Sequence, residues 1–98
     1  MKTIADLKRC FAARPKVVLD RFECSGAPAQ HKYLNVPRYV VHTQSNGYAF
    51  HTDPQAPRAE WSWGDWPTAR ETVFDEDGNG FTFTSENGRV ILHYRIVP

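Results

Sequence analysis

The chain has few of the features that usually announce a function. No apolar run approaches the roughly 20 residues a bilayer-spanning helix requires. The opening Met1-Lys2-Thr3-Ile4-Ala5-Asp6 lacks the apolar stretch of a secretory signal. Cytoplasmic residence is the expectation. There are only two cysteines, Cys10 and Cys24. They have neither the Cys-x-x-Cys spacing of a zinc or redox site nor the density of a disulfide scaffold, so both are expected to be reduced. Excess charge of one sign is also missing. A formal net charge of +1 argues against a strongly acidic nucleic-acid mimic and a strongly basic coat protein alike. Ser25, Ser45, Ser62 and Ser85 sit in no Gly-x-Ser-x-Gly elbow, and no phosphate loop or dinucleotide fingerprint occurs. The expectation is a non-enzymatic protein with no cofactor.

What is present is β-structure with its turns written in. Phe81-Thr82-Phe83-Thr84 alternates apolar and polar, Asn87-Gly88 supplies a two-residue turn, and Val90–Ile96 returns. Asn and Gly tolerate the positive φ that both central positions of a type I′ turn require. That turn pairs Phe83 with Leu92, Phe81 with Tyr94 and Glu86 with Arg89. It collects Phe81, Phe83, Val90, Leu92, Tyr94 and Ile96 on one face, and Thr82, Thr84, His93 and Arg95 on the other. Arg38–Gln44 and Tyr48–His51, joined through Ser45-Asn46-Gly47, read as a second hairpin of the same kind. With Asn46-Gly47 as its loop, Thr43 faces Phe50, His42 faces His51, and Tyr39, Val41, Tyr48 and Phe50 point inward.

Upstream, Thr3-Ile4-Ala5-Asp6 forms a capping-box variant, and Ile4, Leu7 and Phe11 recur at helical spacing. Pro15 closes that helix, predicted over about residues 3–13. Lys16–Glu23 and Thr72–Phe74 add two more strands. At 98 residues the chain suits one domain with one core. The predicted fold is α+β and β-rich, with an N-terminal helix packed on a curved antiparallel sheet of about six strands.

Three groups of residues are candidates for chemistry. Asp75-Glu76-Asp77-Gly78-Asn79-Gly80 followed by Glu86 matches the calcium-loop pattern of the EF-hand. A helix must flank such a loop on each side, however, and here an alternating strand follows, so an acidic solvated turn is the expectation. His42 and His51, placed opposite one another by the predicted register, could with Asp53 offer two imidazoles and a carboxylate to zinc or iron. No third ligand is fixed by spacing, and no metal is expected. The third group is Trp61, Trp63 and Trp66, three indoles in six residues after a proline-rich loop. The plain expectation is that they plug an open end of the sheet. The functional one is an exposed aromatic surface in which they act with Arg58 and Arg70. Glu60, Asp65 and Glu71 offset those arginines, which favours a protein partner over a nucleic-acid backbone.

Thr3–Arg9, Val36-Pro37-Arg38, Gln44-Ser45-Asn46 and Leu92–Ile96 together give the chain a resemblance to small proteins encoded by bacteriophages and other mobile elements. The resemblance implies stoichiometric binding to a host protein, as in anti-CRISPR and other anti-defence inhibitors, and it brings no catalytic residues. The leading expectation is therefore a binding module that occludes a host protein or protein complex, away from any membrane. An exposed sheet edge would also permit a dimer. The competing expectations are two. One is a single-stranded nucleic-acid binder, stacking bases on Tyr39, Tyr48, Trp61 and Trp63 with Lys8, Arg9, Arg14, Lys16 and Arg38 on phosphates. The other is a metal-dependent enzyme built on His42, His51 and Asp53.

Overall fold

A computed structural model describes the whole chain, Met1–Pro98, apart from the Glu86 side chain. Helix α1 (Ile4–Ala12) starts at Thr3, whose hydroxyl accepts from the Asp6 amide while the Asp6 carboxylate accepts from the Thr3 amide. This is the reciprocal cap expected from those four residues. Leu7 and Phe11, about one turn apart, are the residues α1 buries. Arg14 turns to a left-handed φ of 55° ahead of Pro15, and the helix ends there.

Eight strands follow: β1 (Lys16–Cys24), β2 (Ala27–Pro28), β3 (Arg38–Gln44), β4 (Gly47–His51), β5 (Ser62–Asp65), β6 (Thr72–Phe74), β7 (Gly80–Ser85) and β8 (Val90–Val97). They form one antiparallel sheet in the order β5-β4-β3-β1-β8-β7-β6, with β2 paired to β1. The α+β, β-rich class is as the sequence predicts. The two strands beyond the expected six are β2 and β5. Ser25 at φ 52° and Gly26 at φ 83° make a positive-φ turn that folds Ala27 and Pro28 back on β1. The pairing of β5 with β4 relies on two glycines, Gly47 and Gly64, where a Cβ would meet the neighbouring strand.

Strong curvature follows from the side-chain distances. β4 and β8 are three strand spacings apart, about 14 Å in a flat sheet. The Phe50 and Tyr94 rings on those strands are nevertheless 5.9 Å apart. Register shifts at Leu19/Arg21 in β1 and at Val40/His42 in β3 supply local bends. The concave face holds the core, and α1 caps it through Phe11, whose ring meets Tyr48, Phe50, Trp66 and Phe81. No helix among the described residues is long and apolar enough to cross a membrane.

The β7–β8 hairpin has the predicted register, with Phe81 opposite Tyr94 and Phe83 opposite Leu92. Asn87 and Gly88 both take positive φ, 59° and 86°. The β3–β4 hairpin differs. Gln44 pairs with Gly47, so Ser45 and Asn46 are the loop, and neither has positive φ. Thr43 therefore faces Tyr48 and His42 faces Ala49, while His51 faces Tyr39 across the bulge. This corrects the expected His42–His51 pair. It also puts Val40 in the inner core while Val41 is buried as well.

Candidate functional site

On the convex side of β3–β4–β5, His42, Ala49 and Trp63 are cross-strand neighbours. Trp61, two residues before Trp63, shares their face. The His42 ring stacks on Trp61 at 5.5 Å and meets Trp63 edge-on at 5.7 Å. The two indoles are 5.7 Å apart. Arg58 lies over both, 4.7 Å from Trp63 and 5.6 Å from Trp61, and the Trp61 indole N–H donates to the Ala56 carbonyl. This cluster covers Ala49, which is fully buried, so part of its role is structural. Trp63 nonetheless remains 44% exposed.

The other two residues expected in that surface lie elsewhere. Trp66 packs on Phe11 and Tyr48 and donates its indole N–H to the Gln44 carbonyl, with Lys8 over its ring. It belongs to the rim of the core. Arg70 sits in a short 3-10 turn, Ala69–Glu71, that leads into β6, at the opposite end of the sheet order from β5. Period two places Trp61 and Trp63 together. Asp65 ends β5 and Pro67 lies just beyond, so the alternation does not reach Trp66.

The residues named for metal do not converge. His42 is engaged with the indoles, and the His51 Nδ1 accepts from the Asp53 amide while the Asp53 carboxylate accepts from Gln55. Among the described residues, no group of three or more His, Cys, Asp or Glu is placed to hold a metal ion. The calcium-like loop is likewise engaged: the Asp77 carboxylate accepts from the Asn79 amide, and Asp75 reaches His93. The Glu86 side chain, its distal ligand by sequence, lies outside the described residues. Of the residues proposed to contact a nucleic acid, Tyr48 and Arg38 are buried on the concave side, and Arg9 pairs with Asp6.

Two arrangements escaped the sequence. In the first, His93 on β8 is held between two carboxylates, with Nδ1 2.5 Å from Asp20 and Nε2 2.7 Å from Asp75. Asp20 stands at the β1 bulge, and Asp75 follows β6. Gly80 makes room for the contact, since a Cβ there would lie 2.4 Å from the Asp75 carboxylate and 2.8 Å from the Tyr94 carbonyl. With both ring nitrogens occupied, the imidazole cross-links β8 to the Asp20 bulge and to Asp75. Burial draws its pKa down, but the Asp20 and Asp75 contacts outweigh burial and hold it above the ordinary value. A raised folded pKa stabilises fully below the unfolded value, about 6.5, and that contribution disappears as pH rises through the folded pKa. This contribution to the melting temperature should therefore fall as the pH rises above about 6.5. In His93→Gln this component of the slope should vanish. Parallel wild-type and variant curves would show that the cross-link contributes nothing.

The second arrangement is a cavity of about 260 Å3 on the concave side, bounded by β3, β4, β5 and β8 and by the 29–37 segment. Arg38, only 5% exposed, lines it. The sequence signal for Arg38 was its spacing from Val40, which puts both on one face once Val40 is inside.

No protein-family model, curated protein or solved structure matches this chain.

Proposed function

We propose that the chain is a non-enzymatic binding module that docks a partner protein on the convex face of β3–β4–β5, with Trp63 as the anchor. The observation that carries this reading is an exposed indole already held in place by Arg58, His42 and Trp61. An aromatic side chain fixed before contact loses little entropy on docking, and Trp and Arg are the residue types that dominate binding energy at interfaces. In the sequence around the indoles, Arg58 is offset by Asp53, Glu60 and Asp65. Mixed charge suits a protein surface better than a phosphate backbone. The resemblance to phage-encoded proteins narrows the partner to a component of a host defence complex, bound stoichiometrically and blocked by occlusion.

The test is capture from host extract with wild type, Trp63→Ala and Val73→Ala. Val73 is 69% exposed but lies on β6, at the other end of the sheet order. Trp63→Ala should weaken a directly measured partner affinity by more than ~1 kcal/mol, with little change in melting temperature. Val73→Ala should bind as wild type does, and binding should survive raised salt. Identical capture by all three proteins would refute the reading. A ligand released steeply by salt would instead favour nucleic acid.

A further inference from the structure

The concave cavity holds a charge without a counter-charge. The Arg38 guanidinium lies against the Tyr33 ring at 4.2 Å and the Phe50 ring at 4.7 Å. Among the described residues it takes part in no ion pair, and the neutral Tyr94 phenol stands against it as an acceptor. Buried arginines are ordinarily matched by carboxylates, because a lone cation in a low-dielectric site is costly. The aromatic faces offset part of that cost. With two rings against it and Tyr94 on part of its N–H edge, the rest of that edge is the direction from which an acceptor can approach.

We infer that this cavity is a binding site for a small monocarboxylate carrying a flat apolar body, with the carboxylate on the edge of Arg38. The edge of a guanidinium matches two coplanar oxygens, as in a carboxylate. The charge count points the same way. Arg38 is the one guanidinium, ammonium or carboxylate on the cavity wall. Burial, reinforced by the charge of Arg38, pushes the His31 pKa down, so this ring adds no second cation at neutral pH. Asp65 lies close enough to Tyr48 to help burial raise its pKa, and a nearby acid disfavours a dianion further. One positive charge suits a carboxylate better than a phosphate. Phe50, Tyr48 and Tyr94 supply apolar wall for the remainder of the ligand, and burial holds both of these phenols in the protonated, donating form. A volume just under the usual range for ligand pockets sets the size near that of a single ring with its acid group. Trp63 borders this cavity too, but the ligand contact rests on Arg38, so the site does not depend on the proposed docking function.

The probe is benzoate, titrated into the full chain by calorimetry and followed by thermal shift. The comparators are benzamide, which keeps the shape and loses the charge, and phenyl phosphate. Benzoate should bind saturably at one site and raise the melting temperature, with benzamide and phenyl phosphate at least tenfold weaker. Arg38→Met replaces an uncompensated charge by an apolar chain of similar reach, so it should fold and bind benzoate at least tenfold more weakly. Ser62→Leu fills the cavity from β5 without touching the charge, and it should weaken benzoate in the same way. Absence of saturable benzoate binding overturns the inference, as does undiminished binding in either variant or equal binding of benzamide. Tighter binding of phenyl phosphate overturns the carboxylate assignment.

Discussion

Phe11→Ala should cost the fold about 3–5 kcal/mol, the range for removing a fully buried aromatic ring. Phe11 has no exposed surface. Its ring lies 5.2 Å from Tyr48 in an edge-to-face arrangement, 5.8 Å from Phe50 and 5.6 Å from Trp66. A nine-residue helix is too short to persist alone, so the docking of Leu7 and Phe11 is what keeps α1 helical. Truncating the ring removes the main contact between the helix and β4. At about 4–8 °C per kcal/mol for a domain of this size, the melting temperature should drop by roughly 12–40 °C. Far-UV circular dichroism during a melt reads this directly. A loss below about 5 °C would mean that the surroundings collapse into the space, and that α1 is an ornament on a self-sufficient sheet. The functional consequence concerns the opposite face. Tyr48 and Phe50 alternate along β4 with Ala49, the floor under Trp63, so loosening the concave side also loosens the platform of the indole cluster.

How much of this was legible depended on whether a residue's role was local. Asn87 and Gly88 were readable because their positive φ is a property of two residues and one turn. From it the whole β7–β8 register follows, down to the core positions of Phe81 and Tyr94. The cap at Thr3 and Asp6 was local in the same sense. Asn46-Gly47 carries the same dipeptide and misled for a physical reason. Gly47 does not have positive φ; it is glycine because another strand passes against it. The resulting two-residue shift separated His42 from His51, and the bulge at Val40/His42, which exchanges the two faces of the strand, turned Arg38 from a surface cation into a cavity wall. Long-range contacts were invisible for the same reason. Asp20 and His93 are 73 residues apart, and nothing in the run Val17-Val18-Leu19-Asp20 says that the acid sits at a bulge with an imidazole before it.

Gly47→Ala is expected to be damaging out of proportion to one methyl group, and it connects the fold to both proposed sites. A Cβ at Gly47 would lie 2.3 Å from the Gly64 carbonyl oxygen and 3.4 Å from its carbon. These are backbone atoms of the neighbouring strand, so no side-chain rotation can relieve the contact. Gly64 cannot retreat toward the core either, since its own α-carbon lies under the Tyr48 ring: a Cβ there would be 2.9 Å from that ring. The relief available is for β5 to move off β4, breaking the pairs Gly47–Asp65 and Tyr48–Gly64. The expected cost is at the upper end of the about 1–3 kcal/mol usual for forcing a methyl into a packed site, because the clash is with backbone. Because β5 ends the sheet order, the damage should be local, so hydrogen exchange should accelerate at the Trp63 and Gly64 amides before the β1–β8 ladder responds. Both proposed activities should fail together, since β5 carries Trp63 on one face and Ser62 on the other. Gly26→Ala separates this mechanism from backbone strain. Gly26 has φ 83° and nothing within 4 Å of its would-be Cβ, so it should lose only the ~1–2 kcal/mol of a left-handed non-glycine residue and leave exchange at Trp63 unchanged. If the two variants accelerate Trp63 exchange equally, close approach of β4 and β5 is not what glycine serves at position 47.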